Sequence, residues 1–182
     1  MHTAPMRRIV LALTLTLLLP AAAAAQAPPR ERAVRWAISQ VGVHEIGATN
    51  CGRLVERWQR HARWTVPPCK PWCGAFVHEA FLQAGVDLRS AFLFPTRVLD
   101  DARAGRHGLH AIPVRRVRRG DLVIFKWPGT GDRADHFGIV TRAYRAGSGV
   151  VHTVEGNTSQ AVRAQGRPIT HAVTGVRVDV TP

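Results

Sequence analysis

Gly120-Asp121-Leu122-Val123-Ile124-Phe125 is the point at which this chain changes character. The Gly-Asp pair predicts a turn, and the four apolar residues after it predict a buried strand. Downstream, Phe137 to Arg142, Val150 to Glu155, Ala161 to Ala164 and Ala172 to Val180 read as further strands between glycine-containing turns. Val176-Arg177-Val178-Asp179-Val180 alternates, which puts one face in a core and one in water. Upstream the period is helical. Val34, Ala37, Ile38 and Val41 fall on one face of a helix over Arg30 to Val41, ending near Gly42. Leu54, Val55 and Trp58 predict a second helix from Gly52 to Ala62. A third starts at Cys73 and runs to Ala84, where Gly85 fits a C-terminal stop. Thr96 is read as the cap of a short helix, Arg97 to Ala104, closed by Gly105. Helices first and strands later predict an α+β fold, with N-terminal helices packed on a C-terminal antiparallel sheet. There is no Gly-x-Gly-x-x-Gly and no phosphate loop, which argues against a nucleotide enzyme.

The first 25 residues read as a leader. Arg7 and Arg8 form a basic start, Ile9 to Leu19 an apolar run, and Ala21 to Ala25 a small-residue cleavage region. The apolar run is far short of the roughly 20 residues that span a bilayer. Export with cleavage after Ala25 is the expectation, so the mature protein is secreted or periplasmic, with no integral membrane segment. Residues 26–182 suit one domain with a sizeable core. The formal charge is +13, with Arg115, Arg116, Arg118 and Arg119 the densest cluster. A basic surface favours polyanions, and export makes nucleic acid the least suitable of them. The other reading is a solvated basic face with no dedicated partner.

Three cysteines in an exported chain imply a leftover thiol. Cys51 and Cys69 can close a modest loop and leave Cys73 free. Cys69–Cys73 is cramped, and Cys51–Cys73 would consume the one thiol placed for chemistry. Zinc is disfavoured, because there is no Cys-x-x-Cys and no His-Glu-x-x-His.

That thiol stands in Pro71-Trp72-Cys73-Gly74-Ala75-Phe76-Val77. Unpaired N–H groups and the helix dipole favour a thiolate at a helix start, and the same amides can serve an oxyanion. A small buried cysteine is the competing reading. A base is sought among nine histidines. His136 opens an apolar strand and can project into a cleft. His152 lies mid-strand and points away from the face of Val151, Thr153 and Glu155. His78 lies on the Cys73 helix but on another face. Glu155, at a strand end before Gly156 and Asn157, can orient the base. Asp135 is the rival orienter, but it adjoins His136 and should point to the opposite side.

Four segments together resemble a known family. Trp72-Cys73-Gly74-Ala75-Phe76-Val77, Gly120-Asp121-Leu122-Val123-Ile124-Phe125, His136-Phe137-Gly138-Ile139-Val140 and Val154-Glu155-Gly156-Asn157 resemble, in order, the CHAP group of cysteine, histidine-dependent amidohydrolases/peptidases. That group sits in the papain-like superfamily with NlpC/P60. The resemblance spans roughly Gly52 to the C-terminus. It implies a papain-like fold, Cys73 as nucleophile, His136 as base, Glu155 as orienter and Asn157 as an auxiliary polar group. It implies peptidoglycan as substrate, cut at an N-acetylmuramoyl–L-alanine amide or a peptide bond, and neither metal nor cofactor. Anionic wall polymers are a further expected partner, and the chain is expected to be monomeric. Trp72, Trp127 and Asn50 are candidates for substrate contact, with Trp64 a weaker one. The Arg103 to Arg119 segment matches none of the family's motifs. Two other functions fit the same scaffold: an inactive wall- or polyanion-binding protein, and an acyltransferase working through a thioester.

Overall fold

The computed structural model describes residues 27–62, 69–88 and 94–180. The predicted leader and cleavage region, Trp64 and most of the proline-rich connection lie outside the described residues.

Four helices precede six strands among the described residues. Helix α1 is Pro29–Ser39, with proline at its first position, where a missing N–H costs nothing. It buries Ala33, Val34 and Ala37, two of them from the predicted stripe, while Ile38 and Val41 stay exposed. Helix α2 is Arg53–His61 and α3 is Cys73–Gln83. Every residue of α3 from Cys73 to Phe81 is buried, the mark of a helix enclosed on all sides. Helix α4 is Pro95–Arg103, and it corrects the reading of Thr96 as a cap. Pro95, with φ preset for a helix, takes the first position, so Phe94 flanks the helix and Thr96 falls inside it.

Strands β1 (Leu109–Ile112), β2 (Leu122–Phe125), β3 (His136–Val140), β4 (Val150–Thr158), β5 (Ala161–Pro168) and β6 (Ala172–Val178) form one antiparallel sheet. Their spatial order is β1-β6-β2-β3-β4-β5. The fold is therefore α+β. A short 3₁₀ turn, Val114–Arg116, follows β1, so the segment without a family motif supplies an edge strand and its exit.

The sheet has two buried faces. Leu122, Ile124, Phe137, Ile139, Val154 and Val176 face the helices and share a core with Val34, Trp58, Phe76 and Phe81. Val123, Phe125, Val140 and Val151 point the other way, into a smaller cluster closed by Val117, Trp127 and Tyr144. His136 pairs directly with Phe125, so it belongs to this outer face. The free edge of β5 is covered by the segment after α1. Gly42 N–H donates to Val162 carbonyl at 3.0 Å, Val162 N–H to Val43 at 2.8 Å, and Glu45 N–H to Gln160 at 3.0 Å.

Cys51 and Cys69 form a disulfide with Cα atoms 4.5 Å apart, and Cys73 is the free cysteine. Buried Gln59 braces that link. Its amide donates to Lys70 carbonyl at 2.7 Å, and its oxygen accepts from Cys69 N–H at 2.7 Å. The chain entering α3 is thus anchored two ways. No helix among the described residues is long and apolar enough to cross a membrane.

Candidate active site

Cys73 is the first residue of α3, and Trp72 flanks it. The Trp72 carbonyl accepts from Phe76 N–H at 3.0 Å, and no side chain caps the helix. The first-turn amides therefore have no intrahelical acceptor and point at the space before Cys73. Trp72 itself is fully buried, with its indole N–H donating to Glu45 at 2.9 Å and its ring 5.8 Å from Trp58. This corrects the expectation that Trp72 meets substrate: it is a core residue that locks the tip of α3.

His136 is the first residue of β3 and is buried. Its Nε2 donates to Glu155 Oε2 at 3.1 Å, with Thr158 Oγ1 3.3 Å away. Nδ1 is the nitrogen left for Cys73, whose thiol acts on the ring at close range. Burial alone would lower the His136 pKa. The hydrogen bonds and charges of Cys73 and Glu155 outweigh it and raise the value to about 9.

Glu155 has no exposed surface. Burial would raise its pKa, but hydrogen bonds from His136 and Arg167, reinforced by the charge of His136 and by Thr153, bring it down to about 2. Thr153 donates to Oε1 at 2.5 Å and Thr158 to Oε2 at 2.9 Å. Arg167 Nη2 donates to Oε2 at 2.5 Å, and its Nε lies 3.1 Å from Oε1. A buried carboxylate so surrounded stays ionised and fixed in direction. The Arg167 guanidinium also lies 4.9 Å over Trp127, which stacks on His136 at 6.1 Å between centroids. Four side chains thus close a circuit from Glu155 through Arg167 and Trp127 back to His136. Trp127 is half-buried at the rim of this circuit.

Two glycines make the arrangement sterically possible. A Cβ on Gly138 would lie 2.5 Å from Glu155 Cγ, so its absence lets the carboxylate side chain cross β3 toward His136. A Cβ on Gly156 would lie 2.5 Å from Phe76 Cβ and 2.8 Å from Trp72 Cζ3, so its absence lets β4 approach the first turn of α3.

The structure brings Cys73, His136 and Glu155 together. Asn157 is placed differently. A bulge between Glu155 and Thr158 inserts one residue into β4, with Asn157 at φ 59°. Strict alternation would put Asn157 beside Glu155, but the bulge shifts the phase, and Thr158 arrives instead. Among the described residues no hydrogen bond joins Asn157 to His136. Asn50 sits in the turn before Cys51 at φ 58°, its carbonyl accepting from Gln59 at 3.4 Å, and has no bond to the Cys73–His136 pair. Asp135 accepts from Trp127 N–H at 2.6 Å and Thr130 Oγ1 at 2.8 Å, so it holds a turn and does not orient the base. His152 contacts Arg142 at 2.5 Å, and His78 pairs with Asp87 at 3.2 Å.

Arg167, Thr153 and Thr158 were not singled out from the sequence. Arg163, Gln165 and Arg167 alternate and pair across from Glu155, Thr153 and Val151. That alternation was a usable signal, but Gly166 and Pro168 read as the end of a strand. Cys51, Glu56 and Cys69 cluster closely enough to suggest a metal, but the two sulfurs are bonded to each other.

No protein-family model and no curated protein matches the chain.

Proposed function

We propose that this chain is an exported peptidoglycan hydrolase of papain-like layout, an amidase or endopeptidase that works through a thioester. The single observation that supports it is the grouping of Glu155, His136 and Cys73, with His136 hydrogen-bonded to Glu155 and Cys73 opening a helix. In this reading the Cys73 thiolate attacks the amide carbonyl carbon. First-turn amides of α3 stabilise the oxyanion that forms. The His136 imidazolium gives its proton to the leaving amine as the C–N bond breaks, leaving a Cys73 thioester. Neutral His136 then takes a proton from water, which attacks the thioester and releases the acid and the thiol. Glu155 keeps the ring oriented and favours its charged form, and Arg167 keeps Glu155 ionised. A disulfide and a basic leader fit an oxidising compartment outside the cytoplasm.

Purified sacculi digested with the protein should release muropeptides carrying a new amine, identified by mass spectrometry. Cys73→Ser should keep the fold, by circular dichroism, and release none. Turnover by that variant at the wild-type level would exclude the thiol mechanism. Product masses with an added amine acceptor separate hydrolysis from acyl transfer.

A further inference from the structure

Three depressions adjoin one another around Tyr144 on the outer side of the sheet. Arg142 and Arg145 line the first, Arg115 the second, and Arg115, Arg116 and Arg118 the third. No carboxylate lines any of them. All five guanidinium groups are exposed, and no carboxylate among the described residues forms an ion pair with them. The contrast with other arginines is direct: Arg119 pairs with Glu31, Arg106 with Asp101 and Arg133 with Asp100. Arg177 also borders the third depression, but Asp121 neutralises it at 2.8 Å. At the edge of the first depression, Arg142 presses on His152, whose pKa burial and the Arg142 charge hold below its usual value. Such a set of like charges around adjoining hollows is relieved by an anion.

One exposed arginine is screened by salt and holds little. Several acting together hold a ligand of high charge density, and the guanidinium fork matches phosphate oxygens. Three adjoining hollows suit a repeating chain better than a single small anion. The disulfide is compatible with an oxidising compartment outside the cytoplasm, where nucleic acid is scarce. Tyr144 packs into the same outer cluster as Trp127, which stacks on His136. A chain held at Tyr144 therefore lies on the same side of the sheet as His136.

We propose that the surface around Tyr144 binds a phosphodiester polymer of the cell envelope and so holds the enzyme on its substrate; this rests on the wall-hydrolase reading above. The test uses the full mature chain with Cys73→Ser and an oligomer of poly(glycerol phosphate), titrated at several salt concentrations. Combined Arg115→Ser, Arg116→Ser and Arg145→Ser should weaken binding at least tenfold. The slope of log affinity against log salt should flatten by about 2, at about 0.7 per phosphate contact. A control removing the same charge from another surface, Arg53→Ser, Arg57→Ser and Arg97→Ser, all exposed, should bind like the parent. Equal losses in both triple variants would reduce the effect to net charge and overturn the site. Tighter binding of a single-stranded oligodeoxynucleotide of equal phosphate number would overturn the envelope polymer as its ligand. Sacculus digestion by the triple variant with Cys73 restored keeps the two readings apart. Intact binding with no digestion by the parent enzyme defeats the hydrolase reading, and digestion without polymer binding defeats this one.

Discussion

His136 owes its character to opposing effects. Burial favours the neutral ring, and Cys73 together with the Glu155 carboxylate 3.1 Å away favours the charged one. The charged ring is the form that can protonate a leaving amine. It is held below about pH 9 and lost as pH rises through that value. The alkaline limb of kcat/KM should therefore fall near pH 9, far above the roughly 6.5 of a free histidine. Glu155→Gln keeps a hydrogen-bond acceptor but removes the charge, so the limb should move to lower pH, with activity reduced. His136→Ala removes the proton carrier and should cost more, on the scale of about 10²–10⁴-fold for general acid–base help. A pH–rate series on the two variants checks both. The opposite ranking, or an unmoved limb in Glu155→Gln, would show that Glu155 is not the orienter. Arg167 cannot substitute for His136 as the proton carrier, because a guanidinium has no proton to exchange near neutral pH.

Strands β3 and β4 convert sequence spacing into that geometry, and their irregularities matter as much as their regular pairing. Gly138 is an empty position across which Glu155 reaches, so Gly138→Ala should displace the carboxylate. The new methyl meets Glu155 Cγ at 2.5 Å, and overpacking of this kind costs about 1–3 kcal/mol. A lower urea midpoint together with a lower alkaline pKa would report both effects, whereas loss of stability alone would mean that Glu155 had readjusted. Much of this level was legible in the sequence. Period and turn residues located all four helices and five of the strands to within a few residues, and alternation on β4 set His152 aside as the base. Strand β1 was not legible. Leu-His-Ala-Ile is four residues long with His110 and Ala111 exposed, and it becomes a strand only by pairing with β6. The bulge was not legible either, because inserting one residue changes no local propensity, yet it exchanges Asn157 for Thr158. Arg167 was hidden by the glycine and proline that flank it.

At the scale of the whole molecule, the covalent link and the helix tip form one unit. The Cys51–Cys69 bridge closes a loop that ends four residues before Cys73, and Gln59 ties both Cys69 and Lys70. Replacing both bridge cysteines by serine should lower stability by about 3 kcal/mol through the unfolded chain. If the link also positions Cys73, kcat should fall at temperatures where the variant is still fully folded by circular dichroism. Unchanged kcat there would confine the bridge to stability. Pairing of Cys51 with Cys69 was one of three options in the sequence, and only their proximity in the fold selected it. The two-faced burial of the sheet was legible in β2, which is apolar at all four positions, but not in the alternating Val176 to Val180, which read as wet on one face.

The segment Gly42–Glu45 lies along the last strand of the sheet, at its otherwise open margin. An unpaired strand margin is a template onto which another chain can add. A nascent or damaged chain in which this segment has come away would present Ala161 and Val162 with their backbone groups bare. The same displacement would withdraw Glu45 from the Trp72 indole. Self-association and loss of support for the tip of the Cys73 helix would then begin with a single event. The covering segment acts as a guard against aggregation whose failure also announces itself in the chemistry.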